Sequence, residues 1–72
     1  PAPVEYYRDF YGCTAVLRHL DDGLWYLTVT NPHGIHICRR RPFMTHKGAR
    51  IALGKMSDGT MKLVSQKEGD RQ

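Results

Sequence analysis

Arg39, Arg40 and Arg41 close one predicted strand, and Lys47, Arg50 and Lys55 follow soon after. A guanidinium offers phosphate or carboxylate oxygens a planar, two-pronged set of donors, and an ammonium adds a point charge. The acids Glu5, Asp9, Asp21, Asp22, Asp58, Glu68 and Asp70 all lie outside 24–57, so no acid is interspersed among these six cations. A one-sided field of this kind draws in polyanions, with an affinity that salt weakens. An acidic protein surface would answer to the same field, and a solvated basic face kept for solubility has the same composition. The chemistry these residues suit is the holding of phosphate rather than the making or breaking of bonds.

Other chemistries fit less well. Cys13, His19, His33, His36, Cys38 and His46 supply the ligand types zinc uses, but no pair has Cys-x2-4-Cys or His-x3-5-His spacing with a matching second pair. The sequence therefore predicts neither a metal nor another cofactor. His33, His36 or His46 beside arginines would suit general acid–base cleavage of RNA. There is no glycine-rich phosphate loop and no carboxylate pair outside the Asp21-Asp22 turn, and a binding protein rather than an enzyme is expected. Cys13 and Cys38 are too few to mark a disulfide scaffold and are read as free thiols.

The elements that must position the cations come next. Residues 24–30 form the clearest strand: Trp25, Leu27 and Val29 alternate with Tyr26, Thr28 and Thr30, the first set facing a core and the second facing out. Asp21-Asp22-Gly23 turns this strand back on a predicted strand over 13–20. Asn31-Pro32-His33-Gly34 turns it forward into a third strand over 35–41. Regular alternation there would send Ile35 and Ile37 to the core and His36, Cys38 and Arg40 outward, with Pro42 ending the strand. Thr45 is the expected N-cap of a helix whose apolar stripe is Ala49, Ala52, Leu53 and Met56, with Phe43 stapling its start. A short fourth strand over 61–65 is a further expectation.

The expected fold is α+β, a three-stranded antiparallel sheet packed on one helix. Seventy-two residues allow one small domain over 1–72. Within it, 1–11 read as an N-terminal arm or short helix from the helical spacing of Val4, Tyr7 and Tyr11. Residues 12–65 read as the sheet-plus-helix core and 66–72 as a polar tail. No run approaches the ~18 apolar residues of a membrane span, and PAPVEYYRDF lacks the pattern of a signal peptide, so a cytoplasmic protein without a membrane partner is expected.

On this scaffold the outward side chains Arg18, Tyr26, Thr28, His36 and Arg40 share a sheet face suited to the major groove of double-stranded DNA, where arginine reads guanine. Lys47, Arg50 and the helix N-terminus would hold phosphates, and Arg39 and Arg41 complete the basic set. RNA on the same face is a variant of this reading. A different class of reading is a protein-interaction module, such as a phage-type inhibitor, that binds an acidic surface.

The order of strand, Asp-Gly turn, Trp25 strand, turn at Gly34, basic strand, then Phe43-x-Thr45-x-x-x-Ala49 opening a helix carries a resemblance over about residues 13–56. It resembles the arm-type DNA-binding domains at the N-termini of tyrosine recombinases (the integrases of phage and mobile elements) and the related AP2 domain. The resemblance implies a sheet face entering the major groove, with Tyr26, Thr28, His36 and Arg40 at the contact. The chain departs from that family in having Gly48 on the helix and no room for a catalytic domain.

Overall fold

A computed structural model describes residues 3–57 and 60–68. Along the chain these form β1 (Pro3–Arg8), β2 (Thr14–His19), β3 (Trp25–Thr30), β4 (His36–Phe43), α1 (His46–Met56) and β5 (Lys62–Glu68). All five strands join one antiparallel sheet in the spatial order β4-β3-β2-β1-β5.

One turn, used three times, generates β1 to β4. Gly12, Gly23 and Gly34 recur every eleven residues and all take a left-handed φ, +95°, +84° and +85°. Each donates its amide to a carbonyl three residues back, on Asp9, Leu20 and Asn31. The amides of those same three residues bond the carbonyls of Cys13, Leu24 and Ile35, which closes each hairpin. A type I turn followed by a left-handed residue matches the twist of antiparallel strands, and only glycine adopts that conformation without steric cost. Asp9 and Asn31 reinforce their turns: each side chain accepts two backbone amides, from Tyr11 and Cys13 and from His33 and Ile35.

Ala15, Leu17, Leu27 and Val29 are buried on one face of the sheet beneath Ala49 and Leu53 of α1, and Tyr7 joins them from β1. Burying a leucine such as Leu17 or Leu27 contributes about 2 kcal/mol. The helix starts where expected, Thr45 Oγ1 accepting the Gly48 amide at 3.0 Å. Its apolar stripe is as read, with Ala49 and Leu53 buried and Met56 packed on the core. Trp25 and Phe43 flank that core from β3 and β4.

The sheet is larger than three strands with a possible fourth. The expected arm or short helix over 1–11 is instead β1, an interior strand flanked by β2 and β5. Val4, Glu5 and Tyr7 are all buried, so burial along β1 does not alternate and the strand is masked in the sequence. The fourth expected strand is β5, and it runs to Glu68, into the segment read as a polar tail; 69–72 lie outside the described residues. Residues 58 and 59, between the helix and β5, also lie outside them.

The third expected strand needs a second correction. Ile35 and Ile37 are 64% and 51% exposed, and Cys38 packs on the core instead. Pro42 does not end β4, which continues to Phe43. As an edge strand, β4 tolerates a residue with no N–H to donate.

Candidate nucleic-acid interface

The face of the sheet opposite α1 carries no helix among the described residues. Register puts Val4, Tyr6 and Arg8 of β1 there, then Thr14, Val16 and Arg18 of β2, then Tyr26, Thr28 and Thr30 of β3. The edge strand β4 contributes through two irregularities. His36 pairs with Thr30 and Cys38 with Val29, so Ile37 is an extra residue; Arg41 pairs with Leu27, so Arg39 and Arg40 together oppose Thr28. Each β-bulge resets the inward–outward phase and bends its strand. This is why His36 and Arg40 share a face while Cys38, between them in sequence, turns to the core.

At the second bulge Arg40 has φ +52°, the one left-handed non-glycine residue in the described chain. Its amide donates to Thr28 Oγ1 at 3.0 Å, which fixes the bulge to the neighbouring strand. A non-glycine residue there costs about 1–2 kcal/mol, and such strain tends to collect at functional sites.

The curled edge and the open face enclose a recess of about 400 Å³. Val16, Leu20 and Tyr26 give it an apolar lining, and Arg18, Arg39 and Arg40 supply cations, with Thr28 and His36 between. His36 Nδ1 lies 3.1 Å from Thr30 Oγ1. The Tyr26 hydroxyl donates to the Asp22 carboxylate. That bond raises the Tyr26 pKa above the usual phenol range; together with the Leu24 amide it holds Asp22 below the usual carboxylate range. Among the described residues no carboxylate lies within ion-pairing distance of Arg18, Arg39 or Arg40. The three guanidiniums are therefore free to meet an external anion.

The remaining cations stand elsewhere. Arg41 lies on the helix side, its guanidinium 5.1 Å from the centre of the Phe43 ring, and lines a shallow hollow with Ile51 and Lys55. Lys47 and Arg50 line another with His46. Of the residues singled out in the sequence, Arg18, Tyr26, Thr28, His36, Arg39 and Arg40 converge on one recess, and Arg41, Lys47 and Arg50 do not join them.

A polar network under α1 has no counterpart in the sequence reading. Glu5 is only 6% exposed. Its Oε1 accepts the Tyr7 hydroxyl at 2.7 Å and His46 Nε2 at 2.8 Å. A carboxylate has only acceptors, so His46 carries its proton on Nε2. Burial pushes the Glu5 pKa up, but the His46 and Tyr7 hydrogen bonds and the positive charge of Arg50 outweigh it, and the carboxyl sits below its ordinary range. Burial and the same carboxylate push Tyr7 up to about 12. The Trp25 ring stacks on His19 at 4.3 Å and meets His46 at 4.5 Å. This network ties the start of α1 to three strands, and it engages the histidine nearest Lys47 and Arg50. Forty-one residues separate Glu5 from His46, so no local pattern announces the pair. The eleven-residue recurrence of glycine was, by contrast, available to reveal β1.

Cys13 and Cys38 are both unbonded. No three His, Cys, Asp or Glu side chains gather to hold a metal among the described residues. No helix is long and apolar enough to cross a membrane. No family model, curated protein or solved structure matches the chain.

Proposed function

We propose that the chain is a small nucleic-acid-binding module that holds a phosphate backbone on its open sheet face. The observation that carries the reading is the bulge at Arg40, which brings Arg39 and Arg40 beside Arg18 on an uncovered face with no ion-paired carboxylate among the described residues. Guanidiniums left without partners on a strained, pinned backbone suit an external anion better than a structural role. β2, β3, β4 and α1 cover the stretch whose order resembles the recombinase arm-binding and AP2 domains, and that resemblance also assigns binding to the sheet. Lys47, Arg50 and Lys55 on the helix side add long-range attraction without sharing the contact. The role is binding without catalysis.

The test is fluorescence anisotropy of a labelled oligonucleotide with the whole chain. With three or four phosphate contacts, affinity is expected to fall roughly forty-fold between ~50 and ~200 mM salt as counterion release weakens. Absence of binding at the lower salt ends the reading.

A protein partner is the second reading. It is favoured by the exposure of Ile35 and Ile37 along the edge strand β4, where an added strand would find apolar side chains. The two bulges oppose it, because they break the straight edge such a strand needs. Capture of an acidic protein that survives nuclease treatment would favour this second reading.

A further inference from the structure

The shape of the open face narrows the class of nucleic acid. An element that reads duplex DNA in the major groove projects into a cleft about 12 Å wide. Here the arginines surround a hollow with apolar side chains inside it. Phosphate alone has no use for Val16, Leu20 and the Tyr26 ring, whereas a base does. An unpaired base exposes a flat apolar face that stacks on aromatic rings or guanidinium planes. At about 400 Å³ the recess falls within the range of small-ligand sites and holds one nucleotide rather than a helix.

A second recess of about 250 Å³ adjoins the first through their shared Val16 and contains Tyr6, Arg8 and Thr14. Tyr6 and Tyr26 stand on strands separated only by β2, roughly 10 Å apart across the sheet. The first hollow sets Tyr26 among three arginines and the second sets Tyr6 and Tyr7 beside Arg8, in an order a single strand can follow.

We propose that the open face binds single-stranded nucleic acid, with one unpaired base in the Tyr26 recess, the strand continuing toward Tyr6, and phosphates at Arg18, Arg39, Arg40 and Arg8. This rests on the reading of the open face as a nucleic-acid site and names its ligand class.

The experiment uses the unaltered protein and three labelled ligands in the same low-salt buffer: a twelve-nucleotide oligothymidylate, a duplex of that length, and an abasic strand with the same phosphates. The oligothymidylate is expected to bind roughly ten-fold or more tighter than the abasic strand, since each stacked base contributes substantially. It is also expected to bind tighter than the duplex. Tyr26→Leu, which keeps apolar volume but removes the ring, should lose most of the preference over the abasic strand while far-UV circular dichroism is unchanged. Equal affinity for the oligothymidylate and the abasic strand, or a preference for duplex, overturns the single-strand inference and leaves the phosphate-binding reading standing. Failure of all three ligands to bind overturns both.

Discussion

Replacing Arg40 by glycine separates what its side chain does for binding from what its backbone costs the fold. Arg40 holds φ at +52°, and an L-residue there costs about 1–2 kcal/mol. Glycine removes that cost but adds about 0.5–1 kcal/mol of backbone entropy lost on folding. The Arg40 guanidinium has no ion pair to lose among the described residues, and the amide bond to Thr28 Oγ1 survives the substitution. The balance for Arg40→Gly is thus between no change and about 1.5 kcal/mol of added stability. With a urea slope near 1 kcal/mol/M for a small domain, the unfolding midpoint should hold or rise by up to about 1.5 M. Binding should move the other way: one lost phosphate contact weakens affinity and lowers the slope of log affinity against log salt by about 0.7–0.9. Arg40→Ala keeps the strained backbone, so it should bind as weakly as the glycine variant without its gain in stability. A fall in the urea midpoint of Arg40→Gly would show that the side chain supports the fold. An unchanged binding curve would remove Arg40 from the site.

Glu5→Ala strips a shared acceptor from Tyr7 and His46 and should cost about 3 kcal/mol, a large share of a small domain's stability, as thermal unfolding would register. Because the folded-state pKa of Glu5 is depressed, its contribution is present above the ordinary carboxylate range and is lost as pH falls through the folded value. A melting series from neutral to acid pH should accordingly be flatter for Glu5→Gln than for the native chain. Tyr7 has the opposite sign: with its pKa raised to about 12, the chain should lose stability as pH rises from the ordinary phenol value toward that point, and Tyr7→Phe should flatten this alkaline limb. Gly23→Ala should cost about 1 kcal/mol in urea unfolding even though an added Cβ there meets no atom within 4 Å, because the cost lies in φ alone.

The parts of the fold that sequence reveals are those governed by local chemistry. The alternation of Trp25 to Thr30, the turns ending at Gly23 and Gly34, and the cap at Thr45 each lie within a few residues of their cause. Where the cause is distant, the pattern misleads. Glu5 looks like a surface acid until His46 and Tyr7 meet it, and β1 therefore passes for an arm. β4 misleads for a different reason. Its alternation is broken by two extra residues whose position depends on pairing with β3, so Ile37 and Cys38 exchange the sides that simple counting gives them. The same bulges draw Arg39 into the recess with Arg40, a convergence regular alternation forbids. Lys47 and Arg50 follow the helix and end on the other side of the sheet.

Two double variants that each remove two positive charges discriminate most directly between a built site and a diffuse field. Arg18→Ala with Arg39→Ala removes two cations from the open face; Lys47→Ala with Arg50→Ala removes two from the helix side. Measured by oligonucleotide anisotropy at one fixed salt concentration, the first pair should weaken binding by roughly ten-fold or more and the second by only a few-fold, since phosphate contacts outweigh distant charge. Equal losses from the two pairs, or a larger loss from the helix-side pair, would contradict the assignment of the contact to the open face of the sheet.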